Sequence, residues 1–364
     1  MHGARMSHRG VADRLVSGWD EGFTGAAGVA LGAASAAYGG LLRTRGWLYG
    51  RGMLRPRELP VPVVSLGNVT VGGTGKTPAV ELAVRTLAEQ GHRPAVVSRG
   101  YGRKTRGVHV VADAASIRVE PEEAGDEPFL LARRLPGVPV VVGADRWAAG
   151  RLAIDACGAT AIVLDDGFQQ RTLVTSLDVV MTRARRPWGN GRLLPAGPLR
   201  EPLSALTRAD LVVAVGHGLV RADEVSPAVR RWAPHAPLAT ATLEPIGCWD
   251  GRRMEPVPLA RLAGARALPF AGIAAPAAFA ATLRELDVTG ELVVYPDHHW
   301  YSAADVRELY RRAADADALV TTEKDWVRVR AHLRGGPPLY VVSVALRLVD
   351  GGADWARAFE RCRL

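Results

Sequence analysis

The sequence predicts an α/β fold, in which a parallel sheet covered by helices carries a second, smaller α/β lobe joined through a β-hairpin-like linker. Three observations carry this expectation. Short apolar runs alternate with helical patterns over residues 58–236, as strands buried on both faces require. A turn-rich stretch at 234–237 is followed by an alternating run at 238–243, then Gly251, Arg252, Arg253 and Val257, which reads as a hairpin linker over 237–258. Strand and helix patterns then resume over 259–364.

Within the first unit the expected strands are 61–67, 94–98, 138–142, 161–165, 177–181 and 211–215, with helices at 77–89 and 127–135. The second unit is read as strands 267–273, 291–295, 318–322 and 339–344, with helices 276–286, 303–314 and 355–362. Ligands of such parallel sheets sit beyond the strand C-termini, so the loops there are the places to look for chemistry.

Composition narrows the function. The chain has 364 residues, 48% of them hydrophobic and 23% charged, which excludes a disordered acidic tail or a collagen-like segment. Its net charge of +9 suits phosphate-bearing partners or an anionic membrane surface. Nucleic acid is not expected, because aromatics are only 6% and no reader motif is present. Just three of the 46 basic residues are lysines, Lys76, Lys104 and Lys324, so a position that keeps lysine draws notice. Cys157, Cys248 and Cys362 are far apart and lack the spacing of a disulfide framework or zinc site, consistent with a reducing compartment.

Residues 1–57 form a separate expectation. No residue from 22 to 42 is charged, a length that could cross a bilayer, but the stretch is mostly Ala and Gly and its transfer energy is weak. Arg43, Arg45, Arg51, Arg55 and Arg57 come next, interleaved with Trp47, Tyr49, Met53 and Leu54. That pattern predicts an amphipathic helix lying in the headgroup layer of an anionic membrane. A secretory signal is rejected, since the leader carries Asp13, Asp20 and Glu21 and the glycine-rich loop beyond residue 67 needs a compartment with nucleotide.

Between the strand at 61–67 and the helix at 77–89 lies Thr70-Val71-Gly72-Gly73-Thr74-Gly75-Lys76-Thr77. Glycines let backbone N–H groups turn inward around phosphate, a lysine here reaches the β and γ phosphates of ATP, and the Thr77 hydroxyl can hold Mg²⁺. The strict P-loop pattern has Gly six residues before the lysine, where this chain has Thr70. A P-loop also wants an acidic strand end for the metal, and the run 161–164 ends in Asp165 and Asp166. Of the arginines in the loops after strands, Arg99, Arg103 and Arg200 are candidates to clamp a phosphate. From the residues alone Asp126 is a helix cap and His298 a loop histidine. A GTPase or metallochaperone switch is the rival reading, but Thr322-Glu-Lys-Asp325 is a poor guanine reader; a non-catalytic membrane module with a relic loop is a third.

Taken together, segments 67–78 (Gly-Asn-Val-Thr-Val-Gly-Gly-Thr-Gly-Lys-Thr-Pro), 98–103 (Ser-Arg-Gly-Tyr-Gly-Arg), 125–128 (Gly-Asp-Glu-Pro), 165–169 (Asp-Asp-Gly-Phe-Gln) and 193–202 (Leu-Leu-Pro-Ala-Gly-Pro-Leu-Arg-Glu-Pro) resemble the tetraacyldisaccharide 4′-kinase family, the lipid A kinases of Gram-negative bacteria. The likeness extends to 270–273, Asp297-His298 and 321–325, and Thr70 is the family's own form of the loop. Gln170 stands where many relatives have His and is given no role. The resemblance implies transfer of the ATP γ-phosphate to the 4′-hydroxyl of a tetraacylated glucosamine disaccharide 1-phosphate, a glycolipid, to give lipid IVA at the cytoplasmic face of the inner membrane. It also implies catalytic roles for Asp126 and His298 beside Lys76 and Arg200, with Asp297, His299 and Glu201 as neighbours. A cleft between lobes would let His298 approach Asp126 on closure.

Overall fold

A computed structural model of the chain describes Trp19 and residues 23–218 and 220–363; the acidic leader positions Asp13, Asp20 and Glu21 lie outside them. After helix α1 (Gly25–Gly50) the elements of the first half are β1 (Val63–Gly67), α2 (Lys76–Glu89), β2 (Pro94–Ser98), β3 (His109–Ala112), α3 (Pro121–Ala124), α4 (Asp126–Arg134), β4 (Val140–Val142), α5 (Arg146–Cys157), β5 (Ala161–Asp165), β6 (Leu177–Arg183), β7 (Leu211–Gly216) and α6 (Ala222–Arg230). The second half runs β8 (Leu238–Asp250), β9 (Pro256–Val257), β10 (Ala267–Ala271), α7 (Pro276–Glu285), β11 (Val293–Val294), α8 (Ala303–Arg312), β12 (Ala318–Thr322), α9 (Glu323–Val329), β13 (Leu339–Asp350) and α10 (Gly352–Phe359).

The strands form one sheet in the order β11-β10-β12-β13-β8-β7-β6-β1-β5-β2-β4-β3, with β9 paired to β8. Pairing is parallel within β8-β7-β6-β1-β5-β2-β4 and within β11-β10-β12-β13, so the expected α/β class is what the chain adopts. Two pairings are antiparallel where a parallel sheet was expected: β3 on the edge strand β4, and β13 on β8. The β13–β8 ribbon is what fuses the two parallel blocks, because both strands outrun the six residues expected of each. The first half of β8 pairs with β7, while its far end pairs with β9 and with the start of β13. The register slips between Ser343 and Val344, so a bulge sits in the middle of the ribbon.

Strand faces explain the layers. Val64 and Leu66 of β1 pack with Ala79, Val80, Ala83, Val84 and Leu87 of α2, while Val63 joins Ala149 and Ala153 of α5 on the other face. Although it comes after the last strand of the second half, α10 returns to α2, where the Trp355 indole N–H donates to the Thr86 hydroxyl at 3.0 Å.

Helix α1 is inverted relative to a helix of a soluble core. Only Ser35 and Gly39 are buried, whereas Val29 and Leu41 are 75% and 72% exposed. The helix is long and apolar enough to cross a membrane, and it runs past the uncharged stretch to include Arg43 and Arg45. Its inward contacts are polar: Ser35 Oγ donates to Leu193 O (2.9 Å) and accepts from Ala196 N (2.9 Å), and Tyr38 donates to Arg200 O (2.8 Å).

Candidate active site

Lys76 opens α2 immediately after a loop that leaves β1 at Gly67. Gly72 (φ 108°) and Gly75 (φ 73°) take the left-handed backbone that a side chain would strain, which is why the turn needs glycine there. Asn68 ties the loop from inside: its Nδ2 donates to Thr74 Oγ1 at 3.2 Å, and its Oδ1 accepts from Lys76 Nζ at 3.2 Å. The outer wall is the 198–200 segment, through Val71 N to Pro198 O (2.8 Å), a bridge between Thr70 and Leu199, and Arg200 N to Val69 O (2.7 Å). Thr77 is buried in the first turn. Gly73 faces the second lobe, where a Cβ on it would come within 3.2 Å of Ala275 Cβ.

The two carboxylates at the end of β5 meet this loop and divide the work of neutralisation. Asp166, in the left-handed region at φ 55°, lies 3.3 Å from Lys76 Nζ and 2.7 Å from Arg200 Nη1. Burial alone would raise its carboxyl, but those two cations together hold it below the usual range. Asp165 accepts from Ser98 Oγ at 2.9 Å and is pushed up to about 6, first by burial and then by the charges of Glu127 and Asp166. Arg146, also buried, donates to Gly143 O at 2.6 Å and leaves its Nε without an acceptor.

The residues proposed for a divalent ion fit it by their chemistry. Asp166 Oδ1 is buried and has no hydrogen bond beyond its ion pair with Lys76, and Asp165 is a buried carboxyl raised by burial and neighbouring negative charge. Hard oxygen donors of this kind, with the Thr77 hydroxyl, suit Mg²⁺, which keeps water and phosphate oxygens as its other ligands. Among the described residues no cluster of three His, Cys, Asp or Glu side chains could hold a metal ion.

Asp126 and His298 are 172 residues apart in sequence, and the fold brings His298 Nδ1 to 2.9 Å from Asp126 Oδ2. Asp126 is the first residue of α4, and it is no mere cap: it is 2% exposed and its Oδ2 also accepts from Arg328 Nε at 2.7 Å. Burial works to raise this carboxyl, but the His298 hydrogen bond and the charges of Arg328, His298 and Lys324 hold it far below the usual carboxylate range. Its hydrogen bond to Asp126 raises the His298 imidazole against burial. His298 adopts φ 58°, pinned by its N–H to Gly272 O (3.1 Å), and its ring lies 5.5 Å from the exposed Tyr101. Arg328 is fully buried and also donates to Gly272 O (2.6 Å), while Asp325 accepts from Tyr301 and Thr322.

Other candidates fall elsewhere. Arg99 is exposed, and Arg103 donates to Gly107 O within its own loop. Glu201 pairs with Arg208 (2.7 Å), and His299 with Asp305 (3.3 Å) while stacking on Tyr295, so neither joins the Asp126–His298 pair. Asp297 remains beside it, 3.9 Å from His298 Nε2. Glu127, Lys324 and Arg328 are the site's unforeseen members. Lysine scarcity and membership of the resembling segment 321–325 were the signals available for Lys324, and segment 125–128 for Glu127; Arg328 had none, being one arginine among many.

Comparison with known proteins agrees with this geometry. The sequence pattern of the family described as Tetraacyldisaccharide-1-P 4'-kinase, LpxK, matches residues 27–360. The Tetraacyldisaccharide 4'-kinase of Geobacter sulfurreducens is 42% identical over 355 residues, covering 95% of this chain and 97% of that one. The enzyme of the same name from Syntrophus aciditrophicus is 43% identical over 321 residues, 82% and 84% of the two chains. The crystal structure of LpxK from Aquifex aeolicus in complex with ATP superposes with a TM-score of 0.73 at 31% identity, covering 91% of this chain and 98% of that one. Phosphate loop, strand-end carboxylates and a fold shared along almost the whole length place this chain in the tetraacyldisaccharide-1-phosphate 4′-kinase family.

Proposed function

We propose that the protein transfers the γ-phosphoryl group of ATP to the 4′-hydroxyl of a tetraacylated glucosamine disaccharide 1-phosphate, yielding lipid IVA at the cytoplasmic face of the inner membrane of a Gram-negative bacterium. The observation that carries this reading is the Asp126–His298 pair on the acceptor side of a lysine-bearing phosphate loop. Phosphoryl transfer asks a protein for positioning and charge neutralisation more than for covalent chemistry. The amides of 70–77 and Lys76 cradle the phosphates, with Lys76 exchanging Asp166 for phosphate oxygens. Mg²⁺ held through Thr77, Asp165 and Asp166 would neutralise charge on the β and γ phosphates. Arg200, already on Asp166, is placed to steady the same charge.

As the acceptor oxygen bonds to phosphorus, its bond to hydrogen breaks, ADP leaves, and the proton passes to the Asp126–His298 pair. Two groups sharing one short hydrogen bond titrate as a unit, and the imidazole, 32% exposed, is the half open to the cleft. The expected division of labour is that residues 58–236 hold nucleotide, 259–364 deliver His298, and 237–258 link them. Residues 1–57 meet the anionic surface, with Val29 and Leu41 of α1 and the exposed Arg43, Arg51 and Arg55 available to it. The +9 charge is thereby assigned to lipid and phosphate rather than nucleic acid. Asp126→Ala and His298→Ala are each expected to cut lipid phosphorylation by about 10²-fold or more while ATP affinity persists; an unchanged rate in both would remove the pair from the mechanism.

A further inference from the structure

Glu127 and Lys324 have no role in the phosphoryl transfer as far as Asp126, His298 and the phosphate loop account for it, yet they stand at its centre. Lys324 is the second residue of α9 and Glu127 the second of α4, and Lys324 Nζ lies 2.5 Å from Glu127 Oε1 across the two lobes. On one side Glu127 adjoins the acceptor pair, its backbone N–H donating to Asp126 Oδ1 at 2.9 Å. On the other, its carboxylate is influenced by the charge of Lys76 and adds to the burial that raises Asp165. The charges acting on Lys324 after Glu127 are those of Asp126 and Arg328. The second lobe is already seated on the tip of the phosphate loop, where Ala275 Cβ would lie 3.2 Å from a Cβ at Gly73. Two of the three lysines in an arginine-rich chain thus pair with carboxylates of this region, Lys76 with Asp166 and Lys324 with Glu127; the third, Lys104, is exposed in a loop.

A transferring phosphoryl group carries charge on its equatorial oxygens, and cations delivered from outside the phosphate loop are the recurrent way to neutralise it. A lysine suits that task as a compact point charge on a flexible stem. We propose that Lys324 is a further catalytic residue: the second lobe carries it into the cleft, and its ammonium leaves Glu127 for the oxygens of the group in transfer, with Glu127 holding it in place until nucleotide and acceptor arrive. The proposal rests on the kinase function proposed for the chain. No bond to the lysine forms or breaks, and its proton stays on nitrogen.

The alternative is that Lys324 and Glu127 are only a tie between lobes, and the two roles separate by experiment. Lys324→Met, Lys324→Arg and Glu127→Gln are compared with the parent protein for kcat and KM toward ATP and tetraacylated disaccharide in detergent, with melting temperature as the check on folding. Losing one charge-stabilising donor of this kind is expected to cost about 10²-fold in kcat, with KM for ATP changed far less. Lys324→Arg should recover part of that loss, and Glu127→Gln should cost far less than Lys324→Met. Equal losses for Glu127→Gln and Lys324→Met, which break the same ion pair, would overturn the proposal, as would a kcat within a few-fold of the parent in Lys324→Met. Should Lys324→Met fail to fold, Lys324→Gln and Lys324→Arg give the same comparison. A parent protein that phosphorylates no lipid would instead overturn the kinase reading beneath it.

Discussion

Replacing Arg328 by Met leaves two carboxylates in the interior without their cation. The Arg328 side chain is 0% exposed, Asp126 3% and Asp325 0%, with Arg328 Nη2 2.5 Å from Asp126 Oδ2 and Nη1 3.5 Å from Asp325 Oδ1. Solvent screening is therefore slight. Breaking a buried pair from one side costs about 3–5 kcal/mol, which for a chain of 364 residues corresponds to a fall in Tm of roughly 4–7 °C. The sign of the pH dependence is set by Asp126, whose carboxyl is held low in the folded protein. Such a group adds stability above its unfolded pKa and loses it as pH falls through the folded value. Without Arg328 the His298 hydrogen bond still lowers Asp126, but both carboxyls rise from where they stand in the parent, so protonation at low pH relieves them. The deficit of Arg328→Met relative to the parent is therefore expected to be larger at pH 8 than at pH 5. Thermal melts at both pH values measure it, and the double variant Asp126→Asn/Arg328→Met should recover part of the loss. A fall under about 2 °C at pH 8, or a deficit that grows toward pH 5, would refute the reasoning.

Two further outcomes rest on particular contacts. Tyr38→Phe removes the hydrogen bond from α1 to Arg200 O, worth about 1 kcal/mol; flotation with anionic vesicles should be unchanged while turnover falls a few-fold, and an unchanged turnover would contradict a link between α1 and the Arg200 segment. Gly67→Ala places a methyl 2.6 Å from Phe168 Cβ and N at the mouth of the site, so overpacking of about 1–3 kcal/mol is expected in a thermal melt, against no measurable change if the strand end is free to shift.

The legible parts of this protein were those encoded over short spans. The strand–loop–helix around Lys76 and the apolar run ending in Asp165 and Asp166 carry their chemistry in a dozen residues or fewer, and the strands covered on both faces have runs of Val, Ile and Leu to show it. The illegible parts depend on distant pairing. Nothing local in 238–250 or 339–350 says that these strands pair with each other and weld two parallel blocks into one sheet. Asp126 looks like a helix cap until Arg328, 202 residues away, arrives beside it. Helix α1 was read as amphipathic from its basic flank, but its inward face is polar and small, with Ser35, Tyr38 and Gly39 against the 193–200 loop. The uncharged stretch is mostly Ala and Gly, so no apolar stripe in it marks which face docks on the protein.

The most direct measurement incubates the protein with γ-labelled ATP, Mg²⁺ and a tetraacylated glucosamine disaccharide 1-phosphate in detergent. Label should appear on the disaccharide at its 4′ position, and Lys76→Ala, which empties the phosphate loop of its cation, should abolish that transfer. Label that never reaches the glycolipid, or that reaches it equally well without Lys76, would contradict the account.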